Sequence, residues 1–182
     1  MRIVSGKYKG RIFRPPKSIR ARPTTDFAKE NLFNILENRL DFEKTTALDL
    51  FSGTGNISFE LVSRGCPHVT AVEKQPKHIA FIHRVIGQLE IGNLKVLKKD
   101  VFRFIQSTGE AYDLIFADPP YQLKGAEEIP GMVFSRRLLK PGGLLILEHN
   151  KNLTFPEGIN VSEQRKYGTV HFSFFSLLEN QA

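Results

Sequence analysis

The chain has a single cysteine, Cys66, and so no internal disulfide, and no Cys/His cluster has zinc-ligand spacing. Neither an oxidising compartment nor a structural metal is indicated; Cys66 reads as a buried thiol. No apolar run approaches the ~20 residues that a membrane span requires, and the N-terminus is charged from Arg2 onward without the apolar stretch of a signal peptide. The expectation is a cytoplasmic protein with no membrane partner. Internal repeats, low-complexity segments and interdomain linkers are missing too, so 182 residues with 41% hydrophobic content are expected to bury one full core. No feature demands a dimer, and a monomer is expected.

Acidic residues are missing from one place. Residues 1–25 hold Arg2, Lys7, Lys9, Arg11, Arg14, Lys17, Arg20 and Arg22 and no acid, while the remaining 157 residues carry 18 basic and 19 acidic groups. The net charge of +7 therefore belongs to the arm. A near-neutral body with a basic arm is the distribution expected where one segment meets a polyanion and the body does something else. Nucleic acid is the leading partner, with Lys7, Lys9, Arg11 and Arg14 as candidate RNA contacts. Within the arm, Ile3, Val4, Ile12 and Phe13 flank Gly6-Lys7-Tyr8-Lys9-Gly10. That pattern suits a short β-hairpin bent at its glycines and ended by Pro15-Pro16.

After Pro23, Thr24-Thr25-Asp26 offers a helix N-cap, and Ala28, Leu32, Phe33, Ile35, Leu36 and Leu40 recur at helical spacing to near Leu40. Short apolar runs then alternate with amphipathic ones. Thr46–Phe51, Val69–Glu73, Leu94–Leu97, Tyr112–Ala117 and Gly143–Glu148 read as strands, and segments near 55–64, 76–90, 101–107 and 126–139 as helices. Strands apolar on both faces and separated by helices indicate an α/β fold, a parallel sheet covered on both sides. Asn160–Arg165 and Thr169–Leu178, separated only by Lys166-Tyr167-Gly168, should finish the sheet as an antiparallel pair. The division is a basic arm over residues 1–23 and a main domain over 24–182.

The first strand runs into Asp49-Leu50-Phe51-Ser52-Gly53-Thr54-Gly55-Asn56 and then a helix, a nucleotide-type loop in which glycines let the backbone turn and approach a ligand. The dinucleotide form G-x-G-x-x-G would need a third glycine where Ser58 stands, so a nicotinamide site is disfavoured. Acids recur at strand ends: Asp49 in the first loop, Glu73 ending the second strand, Asp100 following the third. Taken singly each reads as a helix cap or a surface charge, but strand ends of an open α/β sheet form a ligand crevice. Glu73 suits ribose hydroxyls, and Asp100 an adenine amine. S-adenosylmethionine, with a sulfonium and an ammonium and no phosphate, suits such a crevice better than a dinucleotide does, and Asp49 would serve its cationic end.

The fourth strand ends in Asp118-Pro119-Pro120-Tyr121. Two prolines fix φ and remove two donors, so the loop presents stiff carbonyl acceptors beside a carboxylate. Such a loop accepts hydrogen bonds from an amine. An exocyclic aromatic amine is a poor nucleophile because its lone pair is delocalised, and two acceptors on its N–H groups, Asp118 and the Pro119 carbonyl, favour a pyramidal nitrogen. Tyr121 can stack on a base taken out of its helix, worth about 1–3 kcal/mol.

The sequence resembles the RsmD-type 16S ribosomal RNA guanine-N2 methyltransferases of bacteria, within the class I Rossmann-like methyltransferases. The resemblance covers nearly the whole chain: MRIVSGKYKGR at the start, RPTTDFAKENLFNIL from Arg22, LDLFSGTG from Leu48, SRG from Ser63, VEK from Val72, DPPY from Asp118 and LLKPGGLLILEH from Leu138. It implies a mostly parallel seven-stranded sheet with helices on both faces, an antiparallel C-terminal hairpin and a small N-terminal β-hairpin extension. It also implies S-adenosylmethionine bound by Asp49, Phe51, Gly53, Gly55, Glu73, Lys74, Asp100 and Val101, with Arg22, Thr24 and Thr25 close by. Guanine would be received by Asp118 to Tyr121, and the product would be N2-methylguanine in 16S rRNA or a small-subunit assembly intermediate. Two departures are Ser52 and Asn56, where many members have small apolar residues, and the lack of an obvious asparagine in the helix after Glu73. The loop motifs alone also admit adenine-N6 and protein-glutamine methyltransferases, and a non-catalytic RNA-binding assembly protein could retain the fold.

Overall fold

The computed structural model describes residues 1–19 and 26–176. Its sheet follows from side-chain alternation. Five strands lie parallel: β1 (Thr46–Leu50), β2 (His68–Glu73), β3 (Leu94–Lys98), β4 (Tyr112–Ala117) and β5 (Leu139–His149). Successive residues of a strand point to opposite faces. Leu114 and Phe116 of β4 and Leu144 and Ile146 of β5 enter one core, while Ile115, Ala117, Leu145 and Leu147 enter the other. The first core is closed by α1 (Asp26–Glu37), α2 (Asn56–Ser63) and α3 (Pro76–Leu89), the second by α4 (Val101–Ser107) and α5 (Ile129–Ser135). Both faces are therefore covered, as runs such as LIFA require.

The antiparallel finish is present. β7 (Val170–Ser176) pairs with β5, and β6 (Glu163–Tyr167) with β7, giving the order β3-β2-β1-β4-β5-β7-β6. The order reverses between β1 and β4, the point at which an open α/β sheet forms its ligand crevice. No helix among the described residues is long and apolar enough to cross a membrane.

Several boundaries differ from the sequence reading. β1 stops at Leu50 because Phe51 adopts a left-handed backbone, φ 62°. α1 ends at Glu37, and Asn38 to Leu40 turn back on Ile35 and Leu36 through hydrogen bonds of 2.9–3.2 Å. The helix expected over 126–139 is a 3-10 turn (Ala126–Glu128) and the short α5, since Leu139 already pairs with Tyr112 and β5 runs through Pro141-Gly142-Gly143. Gly142, φ 74°, lets the strand pass that irregularity. The terminal turn is Gly168-Thr169 rather than Lys166 to Gly168, with Gly168 at φ 63°, and Asn160 to Ser162 lie outside β6. The expected cap residues Thr24 and Thr25, and the last positions of the expected final strand, Leu177 and Leu178, lie outside the described residues.

The N-terminal arm forms the expected hairpin in minimal form, one antiparallel bridge between Arg2 and Ile12 with Ile3 N–H donating to Arg11 O at 3.0 Å. It is seated on α2. The fully buried Glu60 accepts from Val4 N at 2.8 Å and Ser5 N at 3.0 Å, and Ser63 O and Oγ accept from Lys7 N at 2.7 Å and Tyr8 N at 2.9 Å. Gly6, φ 78°, approaches α2 so closely that a Cβ would lie 1.8 Å from Ser63 O. Lys29 of α1, also fully buried, donates from Nζ to Arg2 O at 2.5 Å and Asn56 Oδ1 at 2.8 Å and lies 3.5 Å from Glu60 Oε2. Burial lowers its ammonium pKa, and Glu60 works against that shift.

His149 at the end of β5 is buried between Ser173 Oγ at 2.8 Å and Asn150 O at 2.7 Å, and burial holds its pKa below the ordinary 6.5, with His171 adding to the shift. Between the folded and unfolded values the unfolded chain binds the proton that the folded chain refuses. This contribution to stability is complete above pH 6.5 and is lost as the pH falls below it. A His149→Gln variant, which cannot titrate, is expected to lose less stability than the parent between pH 7.5 and pH 5 in urea unfolding. Parallel slopes would contradict the assignment.

Candidate functional site

A cavity of 490 Å³ opens where the sheet order reverses, at the C-terminal ends of β1, β2 and β4. That volume is within the range that holds a cofactor-sized ligand. It is lined by Phe51, Gly53, Glu73, Lys74, Asp100, Val101, Asp118, Pro119, Pro120 and Tyr121, so ten of the positions singled out in the sequence meet in one space. Another cavity, of 470 Å³, lies at the opposite ends of the strands between His68, Tyr112 and Lys140, away from all of them.

The loop after β1 makes the crevice by backbone conformation. Phe51, Gly53 and Gly55 take φ values of 62°, 54° and 80°, three left-handed residues in five. At Gly53 a side chain would meet only the Phe51 carbonyl, at 3.9 Å, so the bare backbone is left facing the cavity. The left-handed Phe51 is strain of the kind functional loops store, about 1–3 kcal/mol. Gly55 serves packing instead: a Cβ there would lie 2.8 Å from the Phe59 ring, and its residue caps α2 without lining the cavity.

Glu73 is preset. Its Oε2 accepts from Gly53 N at 2.9 Å, and its Oε1 accepts from Lys74 N at 2.8 Å and Gln75 N at 2.7 Å. Three backbone amides from two loops fix the carboxylate on the crevice wall. Asp100 caps α4, with Oδ1 accepting from Phe102 N at 3.1 Å and Arg103 N at 3.3 Å. Both bonds fall on one oxygen, and Oδ2 takes part in neither.

Asp49 is not in the lining. Its carboxylate lies 2% exposed under α2, where Oδ2 accepts from Ser58 N at 3.0 Å and from Ser58 Oγ. Burial pushes its carboxyl up to about 7, against the Ser58 hydrogen bonds. Asp49 ties the glycine loop to α2. Arg22, Thr24 and Thr25 lie outside the described residues.

The loop after β4 begins with Asp118, whose N–H donates to Leu50 O at 3.4 Å and so ties the loop to the end of β1. Pro120 O is occupied by Leu123 N at 2.8 Å, whereas Pro119 O has no hydrogen-bond partner among the described residues. Tyr121 is 38% exposed at the mouth. A carboxylate, a carbonyl and an aromatic ring thus line one cavity.

Sequence reasoning missed other lining residues, among them Gln75, His78, Lys99, Phe102, Glu148 and Val170. Glu148 could have been found, because it stands one residue before the end of β5, close to a strand end as Glu73 is. Val170 could not, since it enters only through the pairing of β7 with β5. Among the described residues no group of three or more His, Cys, Asp or Glu could hold a metal ion.

Lys7, Lys9 and Arg11 are exposed and make no ion pair among the described residues, although Lys7 Nζ lies 5.1 Å from the Tyr8 ring centre. Arg2 differs, being paired with Asp26 and Glu30 of α1.

Comparison with known proteins places the chain. The family model described as Conserved hypothetical protein 95 matches residues 1–176. Ribosomal RNA small subunit methyltransferase D of Buchnera aphidicola subsp. Baizongia pistaciae is 30% identical, over 99% of this chain and 93% of the relative. Among solved structures, a hypothetical protein of Thermus thermophilus is 28% identical with a TM-score of 0.85, covering 97% of this chain and 99% of its own. The putative methyltransferase yhhF from Escherichia coli is 26% identical with a TM-score of 0.84, covering 96% of each.

Proposed function

This chain belongs to the family described as Conserved hypothetical protein 95, whose members include ribosomal RNA small subunit methyltransferase D, and on that premise we propose that it methylates the exocyclic N2 amine of a guanine in 16S rRNA. The observation that carries the reading is the shared cavity: the acceptor loop Asp118 to Tyr121 and the acids Glu73 and Asp100 line one space. S-adenosylmethionine, when bound, supplies an electrophilic methyl group on sulfur. Glu73 would hold its ribose, Asp100 Oδ2 its adenine amine, and Gly53 its approach to the backbone. Support for that fit is the size of the cavity and the glycine whose missing side chain leaves room for a ligand.

The protein's own part is to grip and aim the amine. Asp118 and Pro119 O accept its two N–H groups, which withdraws the lone pair from the ring and points it into the cavity. Tyr121 stacks on the extruded base. The arm engages phosphate, and the enzyme acts in the cytoplasm on rRNA or on an assembling small subunit. Incubating the protein with methyl-labelled cofactor and unmodified small-subunit particles tests this, with N2-methylguanine expected on nucleoside analysis. Label in N6-methyladenine, whose amine the same acceptors would grip, or no label at all, would overturn it.

The arm yields a separate prediction. Converting Lys7, Lys9 and Arg11 to glutamine removes three uncompensated cations, so the slope of log K for RNA against log salt should flatten by about 2–3. Affinity for S-adenosylhomocysteine should stay unchanged, because none of the three lines the cavity. Equal loss of both affinities would sink the phosphate role.

A further inference from the structure

Among the described residues, two buried side-chain polar atoms have no hydrogen-bond partner, Ser52 Oγ and His78 Nδ1. A buried polar atom without a partner has given up hydration for nothing, so each one needs a reason. His78 sits in the first turn of α3 and lines the cavity beside Glu73. Its Nδ1 is 3.4 Å from Glu73 Oε2, without hydrogen-bond geometry. Glu73 cannot easily swing to meet it, because Gly53, Lys74 and Gln75 N–H groups hold both carboxylate oxygens.

Two acceptors facing each other at that separation would repel, so the carboxylate favours the imidazole tautomer with its proton on Nδ1. The cavity wall then carries a carboxylate acceptor and an N–H donor side by side. A hydroxyl satisfies both at once, donating its proton to the carboxylate and accepting from the N–H with its lone pair. We infer that His78 is a second ribose-binding residue, donating from Nδ1 to a hydroxyl of the adenosine cofactor whose own proton goes to Glu73. The inference rests on the cofactor reading above and adds to it a donor that the strand-end acids cannot supply.

Calorimetric titration of the full chain and its His78→Leu and His78→Asn variants with S-adenosylhomocysteine, and with its 2′,3′-dideoxy counterpart, tests it. Asparagine carries an N–H close to where Nδ1–H stands. His78→Leu is expected to weaken S-adenosylhomocysteine by about tenfold and His78→Asn to recover most of that loss. The dideoxy ligand should bind the parent and both variants alike. Equal losses on the two ligands, or no loss in His78→Leu, overturn the role of His78. If the parent binds neither ligand, the cofactor reading itself falls and takes the inference with it, a result distinct from a defect confined to the variants. Thermal melts of the free proteins identify a folding failure, and His78→Ala, a plain truncation of a half-buried side chain, then takes the place of His78→Leu.

Discussion

Asp118→Ala is expected to lower kcat for methyl transfer by about 10²–10³-fold while leaving the affinity for S-adenosylhomocysteine within about threefold of the parent's. The size follows from the task. A neutral aromatic amine acquires positive charge as its nitrogen bonds to the methyl carbon, and a fixed carboxylate beside it stabilises that charge more in the transition state than before it. Asp118 is fixed at the backbone by its N–H to Leu50 O, lines the cavity, and takes no part in the hydrogen bonds that hold Glu73. Truncation therefore leaves Glu73 and its three amide donors in place. Asp118→Asn, which keeps one oxygen acceptor and loses the charge, should fall between parent and alanine. The measurement is single-turnover methylation together with ligand titration. If both quantities fell together, Asp118 would be a wall of the cofactor crevice and not an acceptor for the amine.

What the sequence made readable was governed by local rules. β4 matches its expected bounds because a run apolar on both faces, followed by two prolines, can be little else than a covered strand and its exit. Glu73, Asp100 and Asp118 were found because each ends or follows a strand. Asp49 shows where that rule fails. It precedes Leu50, which is the last residue of β1, so the pleat sends its side chain sideways to Ser58 and not out of the strand end. Leu48 and Leu50 lie in one core and Ala47 in the other, so the alternation contained the answer. The apolar character of both faces hid it.

Glycine illustrates the same division. Gly53 and Gly55 are demanded by the turn they make, which short spacing reveals. Gly6 is demanded by Ser63 O, across 57 residues of chain, as no local pattern could show. α2 is the extreme case: all eight of its residues are buried, including Asn56, Ser58, Glu60 and Ser63. Polar residues on a helix ordinarily mark its wet face. Here they are buried because the arm and α1 supply partners for Asn56, Glu60 and Ser63, and Asp49 of β1 supplies one for Ser58.

That burial gives the largest stability effect expected of any single side chain. Glu60→Ala should destabilise the protein by about 3–5 kcal/mol, since removing one member of a buried ionic cluster strands the others. Glu60 gathers Val4 N, Ser5 N and Arg64 Nε, the last at 2.9 Å, and faces Lys29 Nζ at 3.5 Å. Without it the Lys29 ammonium keeps only Arg2 O and Asn56 Oδ1, while two backbone donors of the arm lose their acceptor. For a chain of this length the melting temperature should drop by on the order of 10 °C. Charge and shape separate in a cycle. Glu60→Gln with Lys29→Met removes both charges and keeps much of the volume, and should recover most of the stability lost in Glu60→Ala. A double variant no better than the single one would mean that the hydrogen bonds to Val4 and Ser5, not the ion pair, hold the arm. Limited proteolysis at Lys7 and Lys9 reads the arm directly, because its release from α2 exposes those sites before the sheet unfolds. In Glu60→Ala cleavage there should outpace cleavage in the main domain, and RNA affinity should fall further than cofactor affinity, since Glu60 touches the arm and does not line the cavity.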